Sequence, residues 1–131
     1  MELNLDKLKN FWVSDAEEAF RVAGHLVEKE DYSYALFFGH LALEKILKAL
    51  CVSKLQNHAP PIHNLVRLAK ISGLELDAQT ENDFVAITAF NIESRYPDFK
   101  ESFRKKCTKE FTTHQMQTIE RYFRWLKSYL K

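Results

Sequence analysis

Tyr32–Leu55 reads YSYALFFGHLALEKILKALCVSKL, 24 residues with no proline and one glycine, Gly39. Leu36, Leu43, Leu47 and Leu50 share one helical face, and Ala35, Phe38, Ala42, Ile46 and Ala49 share the adjacent one. A surface helix carries a single apolar stripe, so a helix apolar over most of its circumference is expected to be surrounded by others. The uninterrupted polar line is narrow: His40, Glu44 and Lys48, four residues apart. Glu44 ahead of Lys48 is the favourable order for a helical ion pair, worth about 0.2–0.5 kcal/mol when exposed. A polar line on such a helix meets solvent, lines a cleft or faces a partner, and a solvated ion pair with a snorkelling Lys45 is the plain reading.

Working outward, Leu5, Leu8, Trp12, Ala16, Ala19, Ala23 and Leu26 recur every three or four residues, which predicts an amphipathic helix over residues 4–29. Asp31 is expected to cap the helix that follows. Pro60 and Pro61 end that helix, and residues 62–72 predict a short one closed by Gly73. Thr80 with Asp83 marks the start of a helix running to about Ser94, where Arg95-Tyr96-Pro97-Asp98 breaks it, because a residue before proline avoids the helical region. Residues 99–109 predict a short basic helix. Thr112 and Gln115 read as a capping box for a last helix whose seam is Met116, Ile119, Phe123, Leu126 and Leu130. No stretch alternates at period two. The expectation is an all-α fold: an antiparallel four-helix up-and-down bundle with one or two additional short helices, in one domain spanning residues 1–131.

Composition narrows the function classes. The formal charge is +1, so overall charge points to neither nucleic acid nor membrane. Charge is nonetheless segregated: residues 71–98 hold six acidic side chains and one basic, and residues 99–131 nine basic and three acidic. Cys51 and Cys107 form no CxxC pair, which argues against a zinc site or disulfide framework and fits a reducing cytoplasm. The opening MELNLDKLKNFW lacks a basic region followed by an apolar run, so no signal peptide is expected. No run of about 18 apolar residues predicts a membrane helix. There is no glycine-rich phosphate loop and no nucleophile placed beside a base, so a nucleotide would be held by side chains and helix ends.

Three stretches resemble a known family. Ala35…Ala42-Leu43-Glu44-Lys45…Lys48-Ala49, then His63-Asn64-Leu65 after a proline-containing loop, then Ser94-Arg95-Tyr96-Pro97, stand in the order and spacing of the HEPN domain (higher eukaryotes and prokaryotes nucleotide-binding). The resemblance covers roughly residues 10–130 and is to the RYP-type, single-domain prokaryotic members. It implies a helical bundle that forms homodimers and acts with a minimal nucleotidyltransferase in a two-component, toxin–antitoxin-like system. Some members are metal-independent ribonucleases, with an Arg followed after four to six residues by a His at a dimer cleft. Arg95 matches that Arg, but Lys100, Glu101 and Ser102 occupy the downstream positions, so this chain departs from the ribonuclease pattern.

The expected function is therefore a non-catalytic nucleotide- or nucleic-acid-binding, or nucleotidyltransferase-partner, module, without a cofactor or metal. The alternative is a ribonuclease in which His63 or His58 replaces the missing histidine. Arg95, Tyr96, His63, Lys45 and Lys48 are the expected anion-facing residues. Arg95 follows a helix, where it either satisfies the last carbonyls or forks onto a phosphate. Tyr96 stacks on a base or packs on a neighbouring helix. His63 stands at a helix start, where backbone N–H groups favour anions. His58 and His63 lack a third ligand for zinc. Arg104, Lys105, Lys106 and Lys109 form the densest basic cluster, and the His40-Glu44-Lys48 line or the face bearing Asn91 is the expected dimer seam.

Overall fold

The computed structural model describes residues 3–130, and among them it contains six helices and no strand. They are α1 (Leu5–Glu28), α2 (Tyr32–Leu55), α3 (Leu65–Ile71), α4 (Ala78–Glu93), α5 (Pro97–Lys106) and α6 (Lys109–Lys127). The four long helices make the expected bundle, with α3 and α5 as the short additions. None of the described helices is long and apolar enough to cross a membrane.

α2 is the axis of the fold. It packs against each of the other five helices. Leu36, Leu43, Ile46 and Leu47 are fully enclosed, as are the small residues Ala35, Ala42 and Ala49 that let neighbours approach. The closest approach is at Gly39, where a β-carbon would come 2.8 Å from Ile119 Cδ1 and 3.3 Å from Met116 Sδ of α6. α1 lies along α2 through Ala16, Ala19 and Ala23. From the other side α6 contributes Ile119, Tyr122, Phe123 and Leu126. Phe84 of α4 meets Tyr122 edge-on, and Phe20 of α1 stacks on Phe123 with centroids 4.9 Å apart.

Several helix ends differ from the expected ones, each for a local reason. α3 begins at Leu65, not at 62, because the Asn64 side chain accepts from Arg67 N and sets the cap. α4 is capped by Asp77, whose carboxylate accepts from Thr80 N, so Thr80 lies inside the first turn. α5 starts at Pro97, the position where a missing N–H costs nothing, and ends at Lys106. Thr108 caps α6 by accepting from Phe111 N, which puts Thr112 inside the helix with a buried hydroxyl rather than at its start. Asp31 occupies the N-cap position of α2 but makes no side-chain cap bond. Gly73 has φ +87°, the left-handed conformation expected of a residue closing α3.

Candidate functional site

The polar line of α2 is not on the surface. His40, Glu44 and Lys48 are all buried. Glu44 holds two partners, one on each oxygen. Oε2 lies 3.0 Å from Lys48 Nζ, and Oε1 accepts from His63 Nδ1 at 3.0 Å. Lys48 Nζ also sits 5.2 Å from the centre of the Trp12 ring, which α1 lays across α2. Lys45 points to the same ring at 5.6 Å and pairs with Asp15 at 2.5 Å.

His40 joins this cluster to the loop before α3. Its Nε2 is 3.0 Å from the His63 carbonyl, which can only accept, so Nε2 carries the proton. In the neutral ring that leaves Nδ1 bare, 3.9 Å from Glu44 Oε1 and without a hydrogen-bond partner among the described residues. Burial lowers the His40 pKa, and the attraction of Glu44 opposes that only in part. His40 is thus a neutral tether in the core. The α3 N-terminus is likewise committed internally: Leu65 N donates to Thr88 Oγ1, and Arg67 N to Asn64.

A second constellation forms at the corner between α4 and α5. Ser94 is buried and donates from Oγ to the Phe90 carbonyl. Tyr96 is extended, with φ −83° and ψ 135°, as a residue before proline must be, and Pro97 opens α5. Arg95 folds back along α4. Its Nε donates to the Asn91 carbonyl and one terminal nitrogen to Asn91 Oδ1, both at 2.9 Å. The guanidinium lies 5.2 Å from the Phe37 ring of α2 and 5.6 Å from the Tyr96 ring. Arg95 therefore satisfies the end of α4 while its other terminal nitrogen has no partner among the described residues.

The hollow beside it, about 470 Å³, is lined by Arg95, Pro97, Lys100, Glu101, Arg104 and Lys105. Four cations face one carboxylate there, and that carboxylate lies 3.9 Å from Lys105. This positive bias gives the corner the character of an anion site. Tyr96 is half exposed beside it.

The five expected site residues consequently fall into two places. Arg95 and Tyr96 share the corner. His63, Lys45 and Lys48 belong to the cluster around Glu44 and Trp12. Phe37, under Arg95, and Lys48 are eleven residues apart on α2, roughly 16 Å of helix rise. Lys45 and Lys48 are held by carboxylates, so they are not free cations. The His40-Glu44-Lys48 line, expected at a dimer seam, is instead buried within the chain under α1 and the α3 approach. Asn91 is also buried, bound by Arg95. Lys100, Phe37 and Tyr34 also neighbour the corner, which helical spacing alone does not show. The aromatic pair three residues apart in the first turns of α2 was the available signal.

An all-helical bundle with a long buried second helix and an Arg-Tyr-Pro corner after the fourth defines a class. The HEPN domain model matches residues 10–129, and the chain belongs to that family. Membership supports a module of the nucleotide- or RNA-binding or ribonuclease type. Comparison with curated proteins and with solved structures gives no match.

Proposed function

We propose that this chain is a non-catalytic HEPN module that binds a nucleotide or nucleic acid by a phosphate at the Arg95 corner. It acts as a homodimer beside a minimal nucleotidyltransferase in a two-component, toxin–antitoxin-like system. The observation that carries the binding site is the Arg95 geometry: one edge of the guanidinium is anchored on Asn91 and the other faces a hollow rich in cations. Anchoring matters because a pre-oriented fork loses little entropy when a phosphate arrives. Homodimerisation is supported by exposed apolar side chains on α4 and α5. Val85 and Ile92 are seven residues apart on one face of α4, and Phe99 follows on α5.

The ribonuclease alternative needs an imidazole at the hollow. None of His40, His58 or His63 lines it. His40 is enclosed, and His63 Nδ1 is engaged by Glu44.

Calorimetric titration of wild type and Arg95→Ala with ATP, GTP and a short RNA tests the binding, with RNA integrity read in the same samples. The variant is expected to bind more weakly by about 1–3 kcal/mol while the RNA stays intact. Equal binding by the variant removes Arg95 as a ligand residue. Cleavage that depends on Arg95 makes the chain a ribonuclease. Light scattering tests the dimer, expected at twice the 15.4 kDa chain mass.

A further inference from the structure

We propose that the anion site continues beyond Arg95 as a short track for single-stranded nucleic acid. It runs along α5 over Lys100 and Arg104 and ends at Tyr34 in the first turn of α2. This deepens the Arg95 reading by naming the ligand as a strand several nucleotides long rather than a mononucleotide.

Continuity is the first observation. Arg104 lines the 470 Å³ hollow beside Arg95 and also a second one, of about 400 Å³, bounded by Tyr32, Ser33, Tyr34 and Cys107. Arg104 thus borders both hollows and links them. Lys100 and Arg104 are one helical turn apart, about 6 Å of rise, so both project from the same face of α5.

Aromatic rings at both ends are the second observation. Tyr96 is half exposed beside Arg95, and Tyr34 is 37% exposed with Lys100 Nζ 5.4 Å from its ring centre. Lys100 chiefly, and Arg104 with it, hold the Tyr34 phenol below its usual pKa. Cations that track a backbone, with rings on which bases stack, are the two parts of a single-strand site. A duplex hides its base faces and leaves such rings without a partner.

Carboxylates set the length. Glu30 and Asp31 also line the second hollow, where they repel a further phosphate. The ten residues of α5 span about 15 Å, enough for roughly three or four nucleotides. Contacts from Arg95, Lys100 and Arg104 to about three phosphates give a slope of log affinity on log salt near −2.

The test is fluorescence anisotropy with a labelled eight-nucleotide oligo(U), an eight-base-pair RNA duplex, and ATP as a competitor. Proteins are wild type, Lys100→Ala/Arg104→Ala, Tyr34→Leu, Tyr34→Phe and, as a charge control on α3, Arg67→Ala. All the changed side chains are exposed or at the surface, and circular dichroism confirms the fold of each variant. Oligo(U) is expected to bind at least tenfold more tightly than ATP and than the duplex. The double variant is expected to lose about 30-fold for oligo(U) and several-fold less for ATP, for which the anchored Arg95 remains, and to flatten the salt slope by about 1.4. Tyr34→Leu should lose several-fold where Tyr34→Phe retains binding, and Arg67→Ala should match wild type.

Oligo(U) binding that equals ATP binding, or that survives the double variant, overturns the track and leaves the Arg95 site standing. Equal binding of the duplex overturns it as well, reducing the groove to a general polyanion surface. Track-dependent oligo(U) binding with no ATP binding upholds the track and removes the mononucleotide reading of Arg95. Absence of any binding overturns both.

Discussion

Replacing Glu44 by leucine probes the buried cluster on α2. The carboxylate neutralises Lys48, whose side chain is 7% exposed, and accepts from His63. Leucine fills much the same volume but leaves the ammonium enclosed without a counter-ion. Breaking a buried pair from one side costs about 3–5 kcal/mol. The Trp12 ring remains 5.2 Å from Lys48 Nζ and retains up to about 2 kcal/mol of cation–π attraction, so the expected loss is near the lower bound, about 3 kcal/mol. For a chain of this size that is a fall in Tm of about 10 °C. Lys48→Met should cost less, about 1–2 kcal/mol, because the largely exposed His63 still donates a hydrogen bond to Glu44. The double variant removes both charges, and apolar replacements of a buried pair are close to neutral, so it should lie within about 1 kcal/mol of wild type. Urea unfolding of the four proteins, followed by circular dichroism, gives the coupling energy, expected to exceed about 2 kcal/mol. Additive single effects, or a Glu44→Leu loss below about 1 kcal/mol, would refute the assignment of the pair as a closed, mutually dependent unit.

Two further predictions concern the other buried titratable groups. The His40 pKa is lowered by burial, so below the ordinary histidine value of about 6.5 the unfolded chain takes up a proton that the folded chain refuses, and stability falls with pH in that window. Above it both states are neutral and the contribution is flat. His40→Gln, which retains a donor for the His63 carbonyl, should flatten the fall in urea midpoint between pH 7.5 and pH 5 relative to wild type; an unchanged profile would show that His40 does not govern it. Burial pushes the Cys51 and Cys107 thiols up to about 11 each. At pH 8 roughly one in a thousand is then thiolate, so both should react with a thiol reagent only on unfolding, and rapid labelling of the native protein would contradict the packing at both positions.

The helices and their order were legible in the sequence because helix formation is read over three or four residues. The spacing of Leu36, Leu43 and Leu47, the seam from Met116 to Leu130, and the breaks at Pro60-Pro61 and Arg95-Tyr96-Pro97 are local statements, and α2 emerged with the same ends as its sequence pattern. Cap positions were less legible, since Asp77, Thr80, Thr108 and Thr112 are all chemically able to cap and the choice among them depends on where the chain turns. The family, too, was carried by short motifs in order. Side-chain environment was another matter. His40, Glu44 and Lys48 look like a solvated stripe, and only the tertiary structure encloses them, because Trp12 from α1 and His63 from a distant loop close over them. The same holds for Arg95. A guanidinium after a helix is able either to cap or to reach outward, and the fold lets it do both by setting Asn91 on one side and the α5 cations on the other. Periodicity determines which residues form an element, but which polar groups are desolvated, and which cations are left free for a ligand, follows from contacts between residues far apart in the chain.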